Sequence, residues 1–169
     1  MEKPERFILV IFGASGDLTK RKLIPSLLSL FLQGILPDRY AILGLGRTPF
    51  SDEAFREKLR QDLAEFSREK AGDREKLDQF LSRLFYQPMN AAVPGDYQLL
   101  EERLSRIDEE VESRGNFVYY LSTSPDIYGQ VAENLGERGL QRQGSGKGWK
   151  RLVVEKPFGT DLESARALN

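Results

Sequence analysis

"FILVIFGASGDLTKRK", Phe7–Lys22, decides how the rest of the chain is read. Phe7–Phe12 is an unbroken apolar run rich in β-formers. A strand covered by helices on both faces has no polar side, and this is the pattern it requires. The turn Gly13-Ala14-Ser15-Gly16 follows at once, and a helical pattern begins at Leu18. Strand, glycine turn, helix is the layout in which free helix-start amides and the helix dipole face an anion. Gly13 permits the tight turn, Gly16 lets a pyrophosphate approach the backbone, and Ser15 offers a further hydrogen bond. Asp17 is out of place beside a phosphate, so it is expected to hold the turn by accepting from backbone amides. Lys20 and Arg21 read as a solvated helix face. The spacing is G-x-x-G, with Thr19 at the third-glycine position, rather than G-x-G-x-x-G. The mononucleotide P-loop pattern G-x-x-x-x-G-K-[ST] is absent. Taken alone, the motif also fits a plain strand-to-helix turn.

The 169 residues carry 25 basic and 26 acidic side chains, a net charge of -1. One domain with a substantial core is the simplest organisation. There is no bulk basic field for nucleic acid, so anion binding has to be local. The absence of cysteine removes disulfides, thiolate nucleophiles and cysteine-ligated metals, and no metal-binding residues are assigned. The absence of histidine removes the side chain best suited to moving protons near neutral pH. No apolar run is long enough to span a bilayer and no leader pattern is present, so the expected location is cytoplasmic, with no membrane partner.

Outward from the opening motif, helix and strand patterns alternate. Leu18–Gln33 is helical, with Gly34 as its stop. Pro25 would remove an amide and clash with the carbonyl of Arg21, so a break near Lys22–Ile24 is expected, with a packed helix from Pro25 onward. Tyr40–Leu45 is the second strand. Ser51 caps a helix bearing Phe55, Leu59, Leu63 and Phe66 on one face. A helix over 73–82 and a strand over 84–87 come next. Tyr97, Leu100, Leu104, Ile107 and Val111 recur at spacings of three and four, predicting a helix over 96–113. A strand over 116–121, a helix opened by Pro125, a glycine-rich loop over 141–149 and a strand over 151–155 complete the order. Thr160–Glu163 has the form of a capping box. The chain ends six residues later, inside that helical pattern, and the expectation is a truncated domain with more protein following. The fold class expected is α/β, a doubly wound and mostly parallel Rossmann-like sheet with helices on both faces.

Beyond the second strand lies "GLGRTPF". A protein binding NAD usually places a carboxylate here for the ribose 2′-hydroxyl. Arg47 and Thr48 stand here instead, and a guanidinium and a hydroxyl suit a 2′-phosphate, favouring NADP over NAD. The competing reading of Arg47 is an ordinary solvated arginine. Lys156 closes the last strand at its carboxyl end, where ligands of open α/β sheets bind, and Pro157 holds it extended. Pro157 is compatible with a cis or a trans bond, and Lys156 with a solvated strand end.

Together these stretches resemble glucose-6-phosphate dehydrogenases. "GASGDLTKRKLIPSLLSLF" is similar to that family's cofactor loop and first helix, and "AILGLGRTPFSDEAF" to its second strand and 2′-phosphate reader. "YYLSTSPDIYG" is similar to its fourth strand and following turn, and "RLVVEKPFG" to its Glu-Lys-Pro-Phe-Gly segment. The resemblance implies oxidation of glucose 6-phosphate at C1 to the lactone, with NADP as cofactor, at the head of the pentose phosphate pathway. It implies that Gly13, Ser15 and Gly16 line the pyrophosphate, with Asp17 and Leu18 completing the turn. Arg47 and Thr48 would take the adenosine phosphate, and Asn90 would edge the adenine, where the family more often has Asp. Ser124 and Pro125 would lie near the nicotinamide. Glu155 and Lys156 would join cofactor and sugar sites, with Lys22 leaning towards the sugar. The family's catalytic histidine belongs to a segment beyond Asn169, as does its large β+α domain, so no catalytic residue is assigned here. The isolated chain is expected to be inactive, and the full-length form a homo-oligomer.

Two other enzyme classes are set aside. Semialdehyde and acyl-phosphate reductases work through a cysteine, and short-chain dehydrogenases need Tyr-x-x-x-Lys, which none of the six tyrosines provides. A non-catalytic NADP-sensing module stays open as the alternative.

Overall fold

Four parallel ladders build the sheet of the computed structural model, which describes residues 3–67, 74–156 and 166. The strands are β1 (Phe7–Phe12), β2 (Tyr40–Gly46), β3 (Leu84–Pro88), β4 (Phe117–Leu121) and β5 (Lys150–Val154), in the spatial order β3-β2-β1-β4-β5. Ile8 is in register with Ala41 on one side and Phe117 on the other, so β1 sits at the centre. The helices are α1 (Ile24–Leu32), α2 (Asp52–Phe66), α3 (Arg74–Ser82), α4 (Tyr97–Val111) and α5 (Tyr128–Glu137).

The period-two geometry of β1 divides its side chains between two cores. Ile8, Val10 and Phe12 pack with α4 and α5, through Tyr97, Leu100, Leu104, Ile107, Val131 and Leu135. Leu9 and Ile11 pack with Ile24, Leu28, Phe55, Leu59 and Phe80 of α1, α2 and α3. Burial of each such side chain contributes roughly 1.5–3 kcal/mol, which is why an all-apolar β1 belongs in the middle. The helix after β1 covers one face and the helix after β4 the other. Between the carboxyl ends of β1 and β4 the chain therefore diverges, and a crevice opens there.

The edges differ. Along β3, Tyr86 N donates to Asp52 Oδ1 at 2.7 Å and Arg56 Nε donates to Leu84 O at 2.7 Å. Side chains thus occupy backbone groups that would otherwise template another strand. At β5 the large side chains are open, with Leu152 47% and Val153 38% exposed.

Three expectations need adjustment. The break foreseen near Lys22–Ile24 is instead a π turn, Thr19–Leu23, leading without interruption into α1. Ile24 N–H bonds Thr19 O, five residues back, and the widened turn admits the Pro25 ring without the clash an α turn would impose. The helix expected over 96–113 starts with a 3₁₀ turn, Pro94–Asp96, and ends at Val111. Glu112 is left-handed (φ 55°), and Asp108 Oδ1 accepts from Ser113 Oγ and from Gly115 N (3.2 Å), which holds the reversal. Pro125 likewise opens a 3₁₀ turn before α5. The capping box at Thr160–Glu163 and the isomer of Pro157 lie outside the described residues.

Candidate functional site

The crevice is a cleft of about 530 Å³ lined by Gly13, Ser15, Gly16, Gly46, Arg47, Asn90, Ser122, Thr123 and Ser124, among others. These residues come from the carboxyl end of β2 and the turns after β1, β2, β3 and β4.

The floor is the turn after β1. Gly13 has φ +83°, and a Cβ there would lie 2.4 Å from Ser122 O, so only glycine fits. Gly13 N and Ala14 N both donate to Leu45 O, at 3.0 and 2.9 Å, and Gly16 N donates to Gly13 O at 3.0 Å. The amides of Ser15, Asp17 and Leu18 make no hydrogen bond among the described residues. They are the unsatisfied donors of a helix start, with the positive end of the dipole behind them. Gly44 and Gly46 bring β2 close beneath: a Cβ on Gly44 would meet Ala14 Cβ at 2.7 Å, and one on Gly46 would meet Tyr86 Oη at 2.7 Å. Nothing local in the sequence points to either glycine, because close approach depends on neighbours distant along the chain.

The Asp17 side chain does not hold the turn through amides. Its carboxylate receives Arg21 Nε at 2.9 Å and lies 3.4 Å from Lys20 Nζ. The hydrogen bond from Arg21 is the main cause of its lowered pKa. The Asp17 carboxylate is thereby ion-paired on the exposed side of the helix start. Lys20 and Arg21 also lie over the Phe66 ring, at 5.9 and 4.6 Å.

On the β2 side, Arg47 is exposed and makes no ion pair among the described residues. Thr48 beside it is exposed and lies off the cleft lining. On the β3 side, Asn90 Oδ1 accepts Ala92 N at 3.1 Å, while Asn90 N donates to Asp96 Oδ2 at 2.7 Å. The Asn90 side-chain amide nitrogen is what remains for a ligand. That turn is fastened from afar: Tyr97 Oη donates to Ala91 O (2.9 Å) and Gln130 Nε2 to Ala92 O (3.1 Å). On the β4 side, Ser124 Oγ donates to Asp126 Oδ2 at 2.9 Å, and Pro125 starts the turn behind it.

The remaining candidates lie elsewhere. Lys22 lines a separate depression of about 440 Å³ with Arg21, Pro25 and Phe66. Glu155 and Lys156 follow β5, outside the cleft lining. Tyr120 Oη donates to Glu155, and burial, with that carboxylate adding to it, pushes the phenol up to about 12. The structure thus joins Gly13, Ser15, Gly16, Arg47, Asn90 and Ser124 in one cleft, and adds Gly46, Ser122 and Thr123.

No helix among the described residues is long and apolar enough to cross a membrane. Residues 10–169 match the family model described as "Glucose-6-phosphate dehydrogenase, NAD binding domain". A glucose-6-phosphate 1-dehydrogenase of Aggregatibacter actinomycetemcomitans is 48% identical over 99% of the chain and 33% of its own length. One from Bacillus subtilis is 38% identical over 96% of the chain and 31% of its own length. A solved glucose-6-phosphate dehydrogenase in complex with its substrate glucose 6-phosphate superposes with a TM-score of 0.83 and 32% identity. That superposition covers 99% of the chain and 34% of the solved one. The chain spans about a third of the length of the relatives it matches.

Proposed function

The chain belongs to the glucose-6-phosphate dehydrogenase family, whose NAD-binding domain it matches, and from that premise we propose that it is the NADP-holding part of an enzyme oxidising glucose 6-phosphate at C1 to the lactone. One observation carries the choice of cofactor: the Ser15 amide and the Arg47 guanidinium, both without a partner among the described residues, line one cleft, and the Asp17 and Leu18 amides, likewise without a partner among them, follow at the helix start. The amides fit a pyrophosphate. The guanidinium fits the 2′-phosphate of NADP, where an acidic residue would repel it.

When bound, NADP supplies a nicotinamide ring able to accept hydride. The chain's own residues bind and orient. Gly13 and Gly16 let the pyrophosphate reach the backbone, Ser15 adds a hydroxyl, and the Asp17 and Leu18 amides complete the cradle. Arg47 and Thr48 hold the 2′-phosphate, and the Asn90 amide faces the adenine end. Ser124 and Pro125 border the nicotinamide end. By the family resemblance Glu155 and Lys156 would stand at the junction with the sugar, and Lys22, which lines a depression separate from the cleft, would lean towards it. A charge-assisted hydrogen bond from either lysine to a sugar hydroxyl contributes roughly 1.5–3 kcal/mol. The chain has no histidine, and the C1 hydroxyl proton falls to a group outside it. Residues 1–169 alone are therefore inactive, since a missing general base costs about 10²–10⁴-fold before the loss of substrate positioning.

The test is NADPH formation from glucose 6-phosphate by the intact protein, beside calorimetric titration with NADP, NAD and the sugar phosphate. Turnover with NADP, and tighter binding of NADP than NAD, is expected. Dinucleotide binding without turnover would favour the NADP-sensing module.

A further inference from the structure

Thr19 is fully buried at the start of the π turn, in a helix start whose neighbours are charged. Its Oγ1 lies 3.3 Å from Gly13 O and 3.2 Å from Ser122 Oγ. The first partner belongs to the turn after β1, which faces the pyrophosphate. The second begins the turn after β4, at the nicotinamide end of the cleft. A single hydroxyl therefore ties together the two walls between which β1 and β4 diverge.

The π turn places it there. Ile24 and Leu28 face the core from α1. In an uninterrupted α-helix the positions sharing their face, three and four residues back from Ile24, are Arg21 and Lys20. The extra residue of the π turn, closed by the bond from Ile24 N to Thr19 O, transfers the inward position to Thr19. Lys20 and Arg21 then turn outward to Asp17. Pro25, which has no amide to bond Arg21 O, enforces that register.

We propose that Thr19 is a positioning residue for the dinucleotide: its hydroxyl, brought inward by the Pro25-dependent π turn, sets the spacing between the pyrophosphate turn at Gly13 and the nicotinamide-side turn at Ser122. The proposal rests on the dinucleotide reading above. It separates ligands by length. NADP spans both turns, whereas 2′,5′-ADP occupies the adenosine end beside Arg47 and stops short of the β4 turn.

The experiment titrates the intact protein with NADP and with 2′,5′-ADP and compares wild type, Thr19→Val and Thr19→Ser. Thr19→Val keeps the shape and removes the hydroxyl. It should weaken NADP by about five- to tenfold, as expected for lost neutral hydrogen bonds, and 2′,5′-ADP less than about twofold. Thr19→Ser should restore NADP binding. A merely structural role would weaken both ligands alike, and that result, or an unchanged NADP affinity, overturns the proposal. Should Thr19→Val not fold, Ser122→Ala removes the opposite partner from a more open position and should give the same split; its absence is equally fatal. Wild-type protein that binds 2′,5′-ADP and NADP, without the split in the variants, sinks this proposal alone. Wild-type protein that binds neither sinks the dinucleotide reading with it.

Discussion

Replacing Gly13 by alanine puts a methyl group 2.4 Å from Ser122 O and 3.1 Å from Thr123 Cγ2, at a residue with φ +83°. Two costs add. The left-handed backbone costs a residue with a Cβ about 1–2 kcal/mol. Forcing the β4 turn away from the new methyl costs about 1–3 kcal/mol more, the usual range for overpacking. The sum, about 2–5 kcal/mol, lowers the midpoint of thermal unfolding by roughly 4–20 °C for a chain of this size. Gly34→Ala is the matched control, because Gly34 also has a positive φ (+69°) but a Cβ there meets nothing within 4 Å. It should carry the backbone cost alone, about 1–2 kcal/mol. Binding separates the pair more sharply than stability does. Moving Ser122 widens the cleft between its two walls, so Gly13→Ala should lose at least about tenfold in NADP affinity, or 1.4 kcal/mol. Gly34→Ala, on the far end of α1, should lose none. Calorimetric titration and thermal melts of both variants decide it. If Gly13→Ala binds NADP as well as Gly34→Ala, the close approach of the two turns is irrelevant to the ligand and the reasoning fails.

Two further outcomes concern the fold around the site. Burial pushes the Tyr97 phenol up to about 12, and burial with the Glu155 carboxylate does the same for Tyr120, both from an ordinary value of 10.0. The folded state thus keeps protons that the unfolded state releases, so this stability is complete below pH 10 and is lost as the pH rises towards 12. Tyrosinate absorbance should appear together with unfolding, and buried tyrosines ionising in folded protein would contradict it. Asp52 accepts Tyr86 N on the β3 edge and pairs with Arg103, both side chains being less than a quarter exposed (22% and 23%). Asp52→Ala should cost about 2–3 kcal/mol in denaturant unfolding, since it leaves an amide and a guanidinium unpaired; a loss below about 0.5 kcal/mol would show that the edge clamp contributes little.

Much of this architecture could be read in advance where a local pattern has one physical meaning. The apolar run of β1 demanded helices on both sides, and the spacing of Tyr97, Leu100, Leu104, Ile107 and Val111 gave α4 its buried face. Arg47 was marked by chemistry and position together, and it does stand on the cleft. What stayed hidden depends on partners far apart in the chain. Pro25 announced a disturbance of the helix, but whether it resolves as a break or a π turn depends on where Thr19 finds acceptors, at Gly13 and Ser122. Gly46 looked like any strand residue until Tyr86 came up beneath it. Asp17, out of place beside a phosphate, pointed to the amides of its own turn, yet the two cations four and three residues on, Arg21 and Lys20, take its carboxylate. The exposure of Leu152 and Val153 was equally illegible, because a β-rich segment does not say whether it lies at an edge.

The central claim is that a dinucleotide lies across the Gly13 turn with its 2′-phosphate on Arg47. Its most direct test is a calorimetric titration of Arg47→Ala and wild-type protein with both NADP and NAD. Loss of a charge-assisted contact worth roughly 1.5–3 kcal/mol should weaken NADP about 10- to 150-fold and leave NAD within about threefold. Equal losses for the two cofactors, or none for NADP, would contradict the assignment.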